Sequence, residues 1–561
     1  MSSTQFDRRA LLRLTTGALA ATAAAPLLSA CGDGGVRAVP RAKDPALLPR
    51  TTVRRIGGLT PDLPGSAAGV PDGYFRYPAV PRRATRGTPL AGADRIKATA
   101  ETFLPPPPGR GDNAAWQAIE RLLGTEVDVI AVPSDDHATK FSTTVAGGNL
   151  PDIFQYPETG GVDNKAGFFA ATCADLAPHL AGDRVAAYPN LAAIPRAAWQ
   201  GAIFGEGLYG IPISRMGTGG AGFYRHDLFA AAGVGDLDEI ADLDRFVELC
   251  KELTRPREDQ YAIMAGATTL IAASAGAPKD WRLTGGGGFV HRLETEEFRE
   301  AIAVARGLYK AGCYYPGTIG MSGAQKAKYT DMFKNGKAAY VYDGIPAYLT
   351  PGTGYIEAMA AIDKRFDPRP MRPVGQRAVA WLDNVALQNV HITRASEERV
   401  RELLAFADFM ASPFGTVEYT LINYGVEGVD FHRDARGNPV LTKKGGADTA
   451  VPWKFFGSAV PALFSSNSAR GVRHVHDAYR RLVPMIDADP TLRYSSPTWD
   501  SKGTGSLLTL ESDGIKDLVS GRKPLSWFDD LRRDYLGAGG EKARREFEEA
   551  AQQSTRQGRK K

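Results

Sequence analysis

The stretch "TEVDVIAVPSDDHATKFSTTVAGGNLPDIFQY", residues 125–156, holds the pattern that decides the fold. Its first nine residues are rich in valine and isoleucine and read as a strand. Asp135 and Asp136 stand where a helix cap is expected, Phe141 and Val145 recur four apart, and Gly147-Gly148 stops the pattern; together they predict a helix. "LPDIFQY" then reads as a second strand. Upstream, "DRIKATAETF" (94–103) predicts a strand, Pro105–Pro108 follow, and a helix from Asn113 places Trp116, Ile119 and Leu123 on one face. The series β-α-β-α-β predicts a parallel sheet, since parallel neighbours need a crossover and helices supply it.

Downstream the chain is richer in helix. "LDRFVELCKEL" (243–253), "ETEEFREAIAVARGLYKAG" (294–312) and "SEERVRELLAFADFM" (396–410) have helical periodicity. "DWRLTGGGGFVHRL" (280–293) predicts a hairpin turning on its four glycines, and "FKNGKAAYVYDG" (333–344) and "AVAWLDNVALQNV" (378–390) predict buried strands. From Val36 to about Ala91 nine prolines occur without periodicity, which predicts an extended spacer. The charged end "GEKARREFEEAAQQSTRQGRKK" (540–561) is expected to be a solvated helix and tail.

Residues 1–30 have the form of an export signal: Arg8, Arg9 and Arg13 precede an apolar run from Gly17 to Ala30 that is too short to span a bilayer. The Arg8-Arg9 pair suggests the twin-arginine route. "PLLSACGDGG" (26–35) places Cys31 after Leu28-Ser29-Ala30, the pattern of a bacterial lipobox, which predicts a diacylglycerol anchor on Cys31. Without residues 1–30 the net charge falls from +5 to +3, an ordinary globular balance that argues against nucleic acid as a partner. Only Cys173, Cys250 and Cys313 then remain besides Cys31, so disulfides are not the framework. Cys250 shares helical spacing with Phe246, Leu249 and Leu253, as a buried inert thiol would.

Six segments, in order, resemble bacterial extracellular solute-binding proteins of family 1, the lipoprotein receptors of ABC importers that often take up oligosaccharides. They are "GVPDGYFRYP" (69–78), "GGNLPDIF" (147–154), "LYGIPIS" (208–214), "FYRHDLFAAAGV" (223–234), "FKNGKAAYVYDG" and "ASPFGTVEYTLINYGVEGVDF" (411–431). The resemblance implies an α/β, two-lobed periplasmic-binding-protein-like fold (type II), with lobes joined by crossover strands and a ligand cleft between them. It gives 1–30 as signal peptide, 31–92 as lipidated N-terminus and spacer, and 536–561 as tail. Lobe 1 becomes 93–213 plus 384–450, and lobe 2 becomes 214–383 plus 451–535. The implied protein is a monomeric receptor on the outer face of the cytoplasmic membrane, delivering a ligand to an ABC permease without catalysis or cofactor. Some relatives carry a calcium loop after the first crossover. Here that place reads "LTRPREDQYAIM" (253–264), without alternating oxygen ligands, so no metal is carried over.

Ligands of such sheets lie beyond the carboxyl ends of parallel strands. That rule selects Gln155 and Tyr156 after "PDIF", Asp343 after "AAYVY", Arg215 after "YGIPIS", and Trp381, Asp383 and Asn384 at the next crossover. Each has a plainer reading: loop, turn, hinge or core. Trp281 and Trp453 are weaker candidates, and Trp116 is expected in the core. No HExxH, CxxC or GxSxG occurs. "GTGGAG" (217–222) precedes a strand and reads as a loop, and His474 and His476 point to different sides of a helix. Paired carboxylates across the cleft would make the alternative, a secreted glycoside hydrolase or polysaccharide lyase.

Overall fold

The computed structural model describes residues 39–52, 54, 59–157, 160–162, 164–215, 222–321, 325–382, 386–458 and 460–558. Residues 1–38, where the export signal and the lipidated Cys31 are expected, lie outside the described residues.

The two larger sheets are built from β1 (Ile96–Thr102), β2 (Val127–Pro133), β3 (Ile153–Gln155), β4 (Ile211–Ser214), β5 (Phe223–Arg225), β6 (Tyr261–Ile263), β7 (Ala338–Val341), β8 (Pro368–Pro370) and β9 (Ala386–Ile392). The first runs in the order β2-β1-β3-β9-β4, the second β6-β7-β5-β8. In the first, β1 is parallel to β2 and β3, and β9 runs antiparallel to both β3 and β4. The β-α-β-α-β reading therefore holds, with helices Ala114–Leu123 and Ser134–Ala146 as crossovers. Asn113 caps the first helix through Trp116 N–H, and Gly124 ends it at φ 90°. Asp135 and Asp136 lie inside the first turn of the second, where their charges favour the helix dipole instead of capping it.

Each sheet has its own core. Trp116, Ile119, Leu123, Ile153, Ile211, Val390, Phe406 and Phe409 belong to that of lobe 1. Phe246, Leu249, Ile302, Leu308, Tyr340 and Leu518 belong to that of lobe 2, and Phe223, Val341, Tyr348 and Tyr355 form its second cluster. Cys250 is buried there as expected, its thiol pushed well up by burial and by Cys313. The glycine-turned hairpin also forms, pairing Trp281–Leu283 with Phe289–His291.

Three expectations need correction. From Val39 the proline-rich stretch is no free spacer but a strap docked on both lobes. Arg41-Ala42 pairs with Tyr494-Ser495, Leu48 enters the lobe 1 core, and Gly73-Tyr74 pairs with Leu463-Phe464. Tyr77 packs among Phe414, Tyr424 and Phe464, and the buried Glu418 carboxylate accepts from Arg83 Nε, the N–H groups of Ala84 and Thr85, and the Thr85 hydroxyl. Proline lowers the entropy of the unbound segment and thereby favours docking as much as extension.

The charged terminal helix Glu541–Gly558 is likewise packed, not solvated. Ala543 and Phe547 close over Trp281 and Phe289, and Glu546 accepts from the hydroxyls of Ser496 and Thr498. Its charges mask a narrow apolar stripe. Finally, lobe 1 does not stop at residue 450: Trp453, Phe455 and Phe456 complete its core, Trp453 standing edge-on to Trp116 at 5.5 Å. The last crossover follows, where Ser458 Oγ donates to Ser214 O.

Candidate functional site

Strand direction fixes which edges of the two sheets face each other. β4 is antiparallel to β9, which is antiparallel to β3, so Ser214 ends on the same edge as Thr102, Pro133 and Gln155. The chain leaves lobe 1 from that edge. It enters lobe 2 at Phe223, which pairs with Val341 at the carboxyl end of β7 and with Pro370 at the end of β8. The crossovers therefore join carboxyl edge to carboxyl edge, and the residues just beyond the parallel strands line the space between lobes.

On the lobe 2 edge, Ala265 and Gly266 follow β6, and Tyr342 follows β7. With Tyr314, Tyr329 and Met321 they line a cavity of about 210 Å³. Gly266 has φ +72°, and a Cβ there would lie 2.1 Å from Tyr342 Cβ, so only glycine lets the two strand ends approach this closely. Tyr314 is 6% exposed, and its hydroxyl stands beside Thr268 without closing a hydrogen bond of regular geometry among the described residues. Burial, aided by the nearby Asp343 charge, pushes the Tyr329 phenol up to about 12, so it stays a donor at neutral pH.

Asp343 was selected from the sequence as a ligand contact, but it stands behind this wall. It is buried, accepts from the Tyr355 hydroxyl at 2.9 Å and from Gly344 N–H at 2.7 Å, and pairs with Lys326. Its role is to hold the segment that presents Tyr342.

On the lobe 1 edge, Gln155 is 0% exposed, and its amide is used internally. Its Oε1 accepts from Glu101 N–H at 2.9 Å, and its Nε2 donates to Glu101 Oε1 at 2.8 Å and to Gln388 Oε1. His137 lies 3.9 Å from Glu101, and burial pushes it down to about 4, so it is neutral there at physiological pH. Tyr156 is buried among Phe141, Phe168, Phe169 and His391, its hydroxyl accepting from Val162 N–H. Both residues build the lobe 1 rim instead of projecting from it. Beyond β1 the side chains that do reach solvent are Phe103 and Leu104.

Arg215 stands half-buried at the first crossover. Lys454, whose side chain reaches solvent though protein crowds it, is held below the usual lysine range by that crowding and by the like charge of Arg215. Trp381 is a correction: it is 8% exposed, belongs to the lobe 2 core, and its indole N–H donates to Ala277 O at 2.9 Å. Its place beside the expected crossover carried no information on which way the indole turns. Asp383 and Asn384 lie outside the described residues, as do residues 217–221 of "GTGGAG".

Trp281 and Trp453 are fully buried, and Trp116 donates to Val127 O. His474 Nδ1 lies 2.9 Å from the Tyr348 hydroxyl, and His476 Nε2 lies 3.1 Å from Pro64 O. In the stretch read for a calcium loop, Asp259 pairs with Lys337 at 2.5 Å. Among the described residues no cluster of three or more His, Cys, Asp or Glu side chains is arranged to hold a metal ion.

The structure thus unites Tyr314, Tyr329 and Tyr342, which sequence reasoning missed. Tyr342 adjoins the chosen Asp343, and Tyr314 follows the Gly312 helix stop, but Tyr329 lies within a helix and gave no local signal.

A family model described as bacterial extracellular solute-binding protein matches residues 114–424, more than half of the chain. The polygalacturonan/rhamnogalacturonan-binding protein YtcQ of Bacillus subtilis (strain 168) is 23% identical over 478 residues, spanning 78% of this chain and 88% of that protein. Among solved structures, alginate-binding protein AlgQ2 without calcium ion aligns with a TM-score of 0.59 at 16% identity, covering 84% of this chain and 100% of its own. The N-glycan transport solute-binding protein of Streptococcus pneumoniae aligns with a TM-score of 0.57 at 14% identity, covering 82% and 98%.

Proposed function

We propose, for a chain that belongs to the bacterial extracellular solute-binding protein family, that its two lobes close on an oligosaccharide and release it unaltered to an ABC permease. The observation that carries this reading is the tyrosine-lined cavity on the lobe 2 edge facing lobe 1. Phenol rings offer flat apolar faces to the C–H side of a pyranose, and their hydroxyls offer hydrogen bonds to its rim. The relatives support it by their names, which specify polygalacturonan, rhamnogalacturonan, alginate and N-glycan as ligands of those proteins.

The receptor is held at the outer face of the membrane by a lipid on Cys31. Among the described residues no helix is long and apolar enough to cross a membrane, and a curated relative, 23% identical over 278 residues, is named as lipoprotein LipO of Bacillus subtilis (strain 168). Intact mass of the membrane-extracted protein tests the anchor: it is expected to begin at Cys31 with acyl mass, and Cys31→Ala to accumulate unlipidated.

The binding test is a melting screen of the body from about residue 36 onward against oligosaccharide, peptide and small-metabolite panels. A true ligand at 100 times its Kd adds about 2.7 kcal/mol of stability. A shift by peptides alone, or cleaved saccharide accumulating in proportion to protein, would overturn the reading.

A further inference from the structure

We propose that residues Arg41–Leu48 are an interlobe leash that sets how far the two lobes can part, and that Arg41 and Lys43 are the clasp that keeps it short. The proposal goes beyond the receptor reading and does not depend on which solute is bound. One end of the leash is fixed to lobe 2. Arg41-Ala42 pairs antiparallel with Tyr494-Ser495, Lys43 N–H donates to Arg493 O at 2.9 Å, and the terminal helix Glu541–Gly558 packs over this strand. The other end is fixed to lobe 1: Leu48 is buried in the lobe 1 core, Arg50 N–H donates to Gly182 O at 2.9 Å, and Gly182 N–H donates to Leu48 O at 3.0 Å. Between the two ends Asp44, Pro45 and Ala46 are exposed, and Asp44 caps a single turn of 3-10 helix, Pro45–Leu47.

The clasp reaches from this strand to lobe 1. Arg41 Nη1 pairs with Glu206 Oε1 at 2.6 Å, and Lys43 Nζ donates to Gln200 O at 2.9 Å; both partners belong to the lobe 1 segment around the buried Trp199 and Ile203. Beside it, helix Pro497–Lys502 of lobe 2 packs against helix Lys165–Thr172 of lobe 1, and the Asp500 charge is felt by both Lys43 and Lys165. The lobe 2 end is a backbone ladder beneath a helix, whereas the lobe 1 bonds of the clasp are made by two side-chain tips. The tips are therefore what yields when the lobes part. The leash then limits the motion. A 3-10 turn rises about 2.0 Å per residue and extended chain about 3.4 Å, so unwinding the three residues of the turn releases about 4 Å.

The test uses the mature protein purified in detergent without added ligand, with spin labels on Ala186→Cys in lobe 1 and Ala488→Cys in lobe 2. Both positions are exposed, while Cys173, Cys250 and Cys313 are buried. Pulsed electron-spin resonance then reads the distribution of distances between the lobes. Arg41→Ala with Lys43→Ala, which leaves the backbone ladder in place, is expected to widen the distribution and extend it by up to about 4 Å. Inserting about six Gly and Ser residues, a flexible coil, between Ala46 and Leu47 of that double variant should extend it past this limit. A distribution that the double variant leaves unchanged would overturn the clasp, and one that the insertion does not extend further would overturn the leash. Glu206→Ala leaves the strap untouched and removes a carboxylate whose side chain is 71% exposed, so it tests the clasp even if the double variant folds poorly. It should give part of the same widening, and the wild-type distribution in its place would equally overturn the clasp.

Discussion

Replacing Trp381 by alanine separates a core tryptophan from a ligand platform, because the two roles move different observables. The indole lies in the lobe 2 core, its N–H donates to Ala277 O, and its strand pairs Trp381 with Asp487. Trp→Ala at such a site costs about 3–5 kcal/mol through lost burial and the cavity left behind. Leaving the Ala277 carbonyl without its donor adds to that cost unless water enters. At about 2–4 °C per kcal/mol for a domain of this size, the melting temperature should fall by roughly 6–20 °C. Trp381→Phe keeps much of the volume and loses the hydrogen bond, so it should cost about 1–3 kcal/mol. The assay is a pair of thermal melts, one followed by fluorescence and one by circular dichroism, with saccharide affinity measured on the folded protein. Affinity is expected to stay within about twofold of wild type. A ligand-free midpoint within 2 °C of wild type (roughly 1 kcal/mol or less), together with a tenfold loss of affinity, would refute the core assignment.

Three further perturbations follow from the packing. Glu418→Ala removes the acceptor that four strap donors share, and at about 3 kcal/mol for a buried, paired carboxylate it should speed proteolysis near Val80, which is 81% exposed; unchanged cleavage kinetics would show that Glu418 does not hold the strap. His391 stacks on Phe169 at 4.0 Å, and burial, outweighing its bond to Tyr209 O, pushes it down to about 3, so it stays neutral in the fold while the unfolded chain protonates near 6.5. Its contribution is complete above that value and declines as pH falls toward 3, by at most about 1.4 kcal/mol per pH unit; the melting gap between wild type and His391→Phe should therefore narrow from pH 7.5 to 4.5, and a constant gap would contradict it. Phe547→Ala uncovers Trp281 and Phe289 and should cost about 3–5 kcal/mol, read as a lowered melting midpoint, whereas a solvated tail would show no change.

Much of the architecture was legible because it is written in local periodicity. The alternation in residues 96–102 and 127–133, the three- and four-residue spacing of Trp116, Ile119 and Leu123, and the glycine turn at 285–288 all report neighbours a few residues away. The strap was not legible, since its partners, Glu418, Leu463 and Ser495, are hundreds of residues distant. The site was legible only as an edge. Strand ends pointed to the right rim, but which residue of "YVYDG" faces the cavity depends on Gly266 of another strand end, and Gln155 turned inward because Glu101 and Gln388 lie within reach.

The strap also dictates an order of assembly. Arg41 pairs with Ser495, Gly73 with Leu463, and Arg82 with Thr416, so the earliest part of the described chain cannot take its place until nearly the last part exists. At about 5–20 residues per second a ribosome needs roughly 20–90 seconds to pass from the first of these partners to the last. During that interval the β-α-β-α-β unit has its own strands and helices at hand, while Tyr74 and Tyr77 still lack Phe414, Tyr424 and Phe464 to bury against. Such distant closures are slow, because loop entropy is lost before contacts form. The lobes condense first and the amino-terminal strap seals them last, making its docking the late step of folding and its release the early step of unfolding.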